Sequence, residues 1–303
     1  MTAVPLPHLA GVSHRDVHAR GLRFHVAEAG PADGDALPVV LLHGWPQHWF
    51  MWREVIPALA TDRRVIAPDL RGLGWSDAPR AGYLKQELAD DVLALLRELG
   101  VERFDLIGHD WGGLTGFLIC LAVPERVGHY VGCSIPHLWP PAERPRLRQL
   151  ANLWYQVALA TPGLGARLMR QGEFTRRVLK AARSHGRYSD DELAAFVDVL
   201  REPEHAHATS LYYRTFLLHE LRPFVAGAFK ARTLTTPTRL LWGRRDPILR
   251  GASATGVHER YAPDMTIEWV QDTGHFLPEE RPELVVERAR ELFASGAARP
   301  PAG

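Results

Sequence analysis

The chain has 303 residues, enough for one large α/β domain with an insertion, and carries 36 Lys+Arg against 35 Asp+Glu for a net charge of +1. That balance gives no electrostatic reason for nucleic acid or an anionic membrane as partner. Two cysteines, Cys120 and Cys133, both in apolar stretches, argue against a disulfide framework and for a reducing, cytoplasmic setting.

Residues 1–12 (MTAVPLPHLAGV) lack the charged and apolar regions of a signal peptide. No run approaches 18 apolar residues, so no membrane span is expected. Residues 13–19 and 22–27 alternate, which predicts a hairpin through Arg20-Gly21 at a sheet edge. Val39–Leu42 is a continuous apolar run, the pattern of a strand buried on both faces. Helical spacing covers residues 50–60, and residues 64–67 predict another core strand. Residues 83–99 carry Leu84, Leu88, Val92, Leu95, Leu96 and Leu99 at helical spacing, and Gly100 follows as a stop.

Residues 104–116 read FDLIGHDWGGLTG: a buried strand, a sharp turn and a helix. Gly108 and Gly112 flank Asp110 in the spacing of a nucleophile elbow, G-x-D-x-G in place of G-x-S-x-G. Such a turn needs glycine where a Cβ would strike the neighbouring strand or helix. The helix starting near Trp111 directs its N–H groups at the site and favours negative charge there. A carboxylate nucleophile forms an alkyl ester at saturated carbon, where serine would form an acyl ester.

A further strand is predicted at residues 130–135. Residues 137–232 contain no strand pattern. Helices are expected there at 147–159, 174–184, 190–200 and 206–219, broken by Pro140-Pro141, Pro162-Gly163 and Pro203. The rhythm returns with strands at 238–242 and 265–270 and a last helix at 282–294. Residues 1–136 and 233–303 are therefore expected to form an α/β core, and 137–232 a helical lid inserted in it. Alternating strands and helices predict a mostly parallel sheet with helices on both faces, and functional residues at the carboxyl ends of its strands.

Three such ends carry chemistry: Asp110, then Asp246 after Leu240-Leu241-Trp242-Gly243-Arg244-Arg245, then His275 after Gly274. Nucleophile, acid, histidine is the chain order of the α/β-hydrolase triad. His275 would deprotonate water while Asp246 holds its other ring nitrogen. Two backbone donors are needed for the oxyanion, and the expected ones are the N–H groups of Trp45 and Trp111.

His43-Gly44-Trp45-Pro46, Gly108-His109-Asp110-Trp111-Gly112-Gly113, Trp242-Gly243-x-x-Asp246 and Gly274-His275 together resemble the α/β-hydrolase-fold epoxide hydrolases, over residues 20 to 295. The run 69–77 is similar to a loop shared with the related dehalogenases. The resemblance implies an eight-stranded sheet and hydrolysis of an epoxide to a vicinal diol. It also implies two lid tyrosines that donate to the leaving oxygen. Trp154-Tyr155-Gln156 and Leu211-Tyr212-Tyr213-Arg214 resemble the segments carrying them, so Tyr155 and Tyr213 are expected in that role, with Tyr212 as the alternative to Tyr213. A phenol, protonated at neutral pH, suits the task.

His43, Pro46, Trp154, Gln156 and Tyr212 are expected around the substrate. The lid's Trp139, Leu147, Trp154, Phe216 and Leu217 suggest an apolar pocket for a small epoxide. No metal or cofactor is implied, because His and Asp do not cluster with ligand spacing. A homodimer stays open. The rival readings are a haloalkane or haloacid dehalogenase using the same Asp110 ester, and a non-catalytic small-molecule binder on the same fold. A serine esterase would need an elbow serine, and Gly251-Ala252-Ser253-Ala254-Thr255 lacks the final glycine.

Overall fold

The computed structural model describes residues 4–32, 34–139, 154–249 and 257–295. The eight strands are β1 (Val12–Ala19), β2 (Leu22–Ala29), β3 (Val39–Leu42), β4 (Val65–Pro68), β5 (Phe104–His109), β6 (Val127–Cys133), β7 (Thr238–Gly243) and β8 (Met265–Val270). They form one sheet in the order β1-β2-β4-β3-β5-β6-β7-β8. The β1–β2 and β2–β4 pairs are antiparallel, and all later neighbours are parallel. The expected hairpin pairs Ala19 with Leu22 across Arg20-Gly21.

Continuous apolar runs mark strands covered on both faces. Val40, Leu42, Ile66 and Leu106 point into one core cluster, and Val39, Leu41, Val65, Ala67 and Ile107 into the other. This is the two-residue alternation of a pleated strand. Helices α1 (Val55–Leu59), α2 (Lys85–Glu98) and α3 (Trp111–Ala122) precede β6. Between β6 and β7 stand α4 (Trp154–Ala160), α5 (Leu164–Gln171), α6 (Glu173–Ala182), α7 (Asp190–Arg201), α8 (Pro203–Thr215) and α9 (Leu221–Val225). Two more, α10 (Leu277–Glu280) and α11 (Pro282–Ser295), follow β8.

Local chemistry explains several boundaries. Ser189 and Glu192 form a reciprocal capping box at the start of α7. Gly172, in the left-handed region, separates α5 from α6. The helix expected over 50–60 is instead a 3-10 turn, Trp49–Trp52, followed by the short α1. The turn is fixed from afar, since the Trp49 N–H donates to the Asp69 carboxylate at 2.8 Å. The helix expected over 206–219 begins earlier, at Pro203, and passes into a π-helical turn, Phe216–Glu220. Of the helix expected at 147–159, only the part from Trp154 lies in the described residues. Leu147, Pro140-Pro141 and Ser253 lie outside them.

The sheet order locates the site. β3 has β4 on one side and β5 on the other. Connections leaving β3 and β5 run in opposite directions and open a crevice at their carboxyl ends. His43–Pro46 leaves the end of β3, and Asp110 the end of β5. No described helix is long and apolar enough to cross a membrane.

Candidate active site

Asp110 sits between β5 and α3 with φ 52° and ψ −121°, a conformation that L side chains rarely adopt. Such a residue costs about 1–3 kcal/mol and persists only where its surroundings hold it. Here α3 does so: the Leu114 N–H donates to the Asp110 carbonyl at 3.0 Å. Gly112 lets α3 press on β3, because a Cβ there would strike the carbonyls of Leu42 and His43.

The Asp110 Oδ1 accepts the Trp45 N–H at 2.9 Å. Asp110 Oδ2 lies 3.6 Å from His275 Nε2, an ion-pair distance rather than a hydrogen bond. His275 Nδ1 lies 2.9 Å from Asp246 Oδ2. The other Asp246 oxygen accepts the N–H groups of Ile248 and Leu249 at 2.7 and 3.3 Å. Asp246 is thereby fixed by its own turn. Burial of the imidazole opposes its charge, but the Asp246 and Asp110 carboxylates outweigh it and raise the His275 pKa to about 10. Trp111, the other expected oxyanion donor, is the first residue of α3.

A cavity of about 260 Å³ opens over Asp110 and His275. Tyr155, Tyr213, Trp45 and Trp154 line it, with Val178, Ala181 and Ala182 of α6 and with Pro247, Ile248 and Phe276. Tyr155 stacks near Trp45, and the Tyr155 and Tyr213 rings meet edge to face at 5.9 Å. Burial raises the pKa of both phenols above the ordinary tyrosine value, with the negative Asp110 adding to it. Both therefore keep their protons and are donors.

Four residues expected around the substrate lie off the described cavity wall. Tyr212 turns away, and its hydroxyl donates to the Arg71 carbonyl at 2.8 Å. Neighbours on a helix point about 100° apart, so only one of the two adjacent tyrosines faces the cavity. His43 is wholly buried. Its Nε2 accepts the Leu70 N–H at 2.9 Å, so Nδ1 carries the proton, 3.2 Å from the Gly44 carbonyl. It braces the Trp45 loop rather than reaching substrate. Gln156 extends toward the Tyr155 hydroxyl, 3.4 Å away. Pro46 follows a cis peptide bond in the turn.

Sequence reasoning overlooked several supports. His109 lies within 2.9 Å of the His275 carbonyl through Nε2, and burial lowers its pKa to about 4, so it is a neutral donor. The adjacency Gly108-His109-Asp110 was the available signal. Lys85 is buried 4.8 Å from the centre of the Trp111 ring. Its ammonium donates to the carbonyls of Tyr83 and Tyr212 and to Glu220, each at 3.0 Å, tying α2 to the end of α8. The Asp69 carboxylate, buried below the site, binds His25 and the N–H groups of Trp49 and Trp75.

Residues 38–282 match the family model of the α/β hydrolase fold. The soluble epoxide hydrolase of Corynebacterium sp. (strain C12) is 31% identical over 296 residues, which cover 93% of this chain and 98% of that one. Human epoxide hydrolase 4 is 30% identical over 286 residues, 88% of this chain and 74% of its own length. The solved structure of the epoxide hydrolase CorEH without ligand superposes with a TM-score of 0.81 at 30% identity, covering 94% of this chain and 99% of that one. With this span and these identities, the chain belongs to the α/β-hydrolase fold family and stands within it among the epoxide hydrolases.

Proposed function

We propose that the protein hydrolyses a small apolar epoxide to a vicinal diol through an alkyl ester on Asp110. The observation that carries this reading is one cavity lined by a carboxylate, a carboxylate-paired imidazole and two protonated phenols. Asp110 Oδ1 is occupied by the Trp45 N–H, which leaves Oδ2 to attack a ring carbon. The ring C–O bond breaks as the new one forms, and Tyr155 or Tyr213 gives its proton to the leaving oxygen. With Asp110 esterified, His275 releases its extra proton to solvent. Water then attacks the ester carbonyl carbon and passes a proton to His275, held by Asp246, and the ring regains the solvent proton once Asp110 is a carboxylate again. The oxyanion develops on Oδ1, where Trp45 N–H already donates and Trp111 N–H is the second donor. Collapse breaks the bond between the Asp110 carbonyl carbon and the ester oxygen and frees the diol. One proton of the water leaves on the diol and the other restores the phenol.

The helices of residues 137–232 act as the lid in this reading, since they bring Tyr155 and Tyr213 over the core residues. Halide displacement would use the same Asp110 ester, but halide leaves as an anion and has no use for paired phenols. The deciding experiment is a single turnover in heavy-oxygen water with epoxide. The first diol is expected to carry no label; immediate label in the diol would mean direct water attack and would sink the reading. A panel of small epoxides beside chloro- and bromoalkanes separates the two leaving-group classes.

A further inference from the structure

Two consecutive glutamates, Glu279 and Glu280, are buried just beyond the catalytic histidine. They do different things. Glu279 gathers Gln47, Arg53 and Tyr188. Among the described residues Glu280 accepts only backbone N–H groups, from two separate segments. Its Oε2 takes Gly274 at 3.0 Å, Ser184 at 2.9 Å and His185 at 2.7 Å, and its Oε1 lies 3.1 Å from the same Gly274 nitrogen. Gly274 immediately precedes His275, and Ser184 and His185 follow Arg183, the C-cap of α6, whose Val178, Ala181 and Ala182 line the cavity.

The His275 backbone is gripped on both sides as well. Its N–H donates to the Ala182 carbonyl at 2.8 Å, and its carbonyl accepts from the His109 ring at 2.9 Å. A Cβ on Gly274 would strike the Ala182 carbonyl, Glu280 Oε1 and the Ser184 nitrogen. The histidine loop and the end of α6 are thus in direct backbone contact, with one carboxylate across the seam.

We infer that Glu280 is a positioning residue for His275: it clamps the Gly274–His275 backbone to residues 182–185 and so aims the imidazole for hydrolysis of the ester. The inference rests on the Asp110-ester reading above. Glu280 touches neither Asp110 nor the two phenols, so it acts on the step that uses His275 and not on ring opening. Misplacing a catalytic group by about 1 Å costs on the order of 100-fold.

The test is single-turnover kinetics with styrene oxide as probe, with ester formation and decay followed by intact-protein mass. Glu280→Leu removes every acceptor. The expected result is ester decay slowed on the order of 10- to 100-fold, with ester formation within about twofold of the parent. Glu280→Gln, which returns one carbonyl oxygen to the Oε2 place, is expected to recover most of the decay rate. Gly274→Ala, which wedges the same seam apart with Glu280 intact, is expected to slow decay in the same selective way. It carries the test if Glu280→Leu does not fold. Tyr188→Phe loosens the lid contact at Glu279 without touching Gly274, and both steps should persist.

Equal loss in both steps, no loss in either, or the same selective loss in Tyr188→Phe would overturn the role of Glu280. His275→Gln run alongside separates this from the parent reading. If it accumulates no ester, the Asp110 pathway itself fails. If it does accumulate ester while Glu280→Leu loses both steps equally, only the Glu280 role fails.

Discussion

Trp45 donates its backbone N–H to Oδ1 of Asp110 at 2.9 Å. The two carboxylate oxygens are therefore already unlike before any substrate arrives. One is held by the Trp45 N–H and the other faces His275 at 3.6 Å. In the proposed cycle the free oxygen leaves with the diol, and water replaces it on the aspartate. After several turnovers in heavy-oxygen water, the peptide containing Asp110 should carry label and other acidic peptides should not. Peptide mass spectrometry reads this directly, and an unlabelled Asp110 would contradict the ester.

In the proposed cycle His275→Gln removes the base and leaves the nucleophile. Ester formation should continue, ester should accumulate to one per chain, and turnover should fall by roughly 10²- to 10⁴-fold, the range for general-base catalysis. Intact-protein mass after mixing with epoxide checks it. Equal loss of ester formation would place His275 in ring opening instead.

In the proposed cycle Tyr155→Phe and Tyr213→Phe each remove a donor to the leaving oxygen, and both keep the ring that packs on Trp45. Each should slow ring opening on the order of 10-fold or more, and the double variant should lose most of the 10²- to 10⁴-fold of general acid help. Tyr212→Phe should leave ring opening nearly intact, because the Tyr212 hydroxyl serves the Arg71 carbonyl. Rapid-quench rates of ester formation distinguish the three.

The His275 pKa, raised from 6.5 to about 10 by its two carboxylates against the cost of burial, links stability to pH. The folded chain binds this proton more tightly than the unfolded chain does. Its stabilising contribution is therefore fully present below pH 6.5 and is lost as pH rises through about 10. Asp110→Asn removes one of the carboxylates, so its loss should be smaller and centred at lower pH. Melting temperatures of the two proteins between pH 6.5 and 10 give the comparison.

Gly112→Ala should destabilise the fold by about 1–3 kcal/mol, the usual cost of overpacking. Its Cβ meets two backbone carbonyls of the β3 end, which cannot swing aside as a side chain would. Denaturant titration measures it, and an unchanged midpoint would show that α3 shifts freely.

Much of this architecture was legible because its signals are local. Val39–Leu42 and Phe104–His109 announce strands buried on both faces. The elbow glycines lie within four residues of one another, and Asp110, Asp246 and His275 each follow a readable strand. What escaped depends on distant partners. The 3-10 turn at Trp49–Trp52 is held by Asp69, twenty residues away. The choice between Tyr212 and Tyr213 needed the rotation of α8 against Arg71. Val178, Ala181 and Ala182 are plain apolar residues at helical spacing. Only their placement over Asp110 distinguishes them from core.

The imidazole held between two carboxylates has a consequence for timing. Below about pH 10 the ring already carries its second proton and has no free nitrogen to take one from water. Alkylation turns one neighbouring carboxylate into an uncharged ester and withdraws part of the attraction that keeps the ring cationic. In the proposed cycle the ring then gives its extra proton to solvent, so the bond that creates the covalent intermediate also frees the base that destroys it.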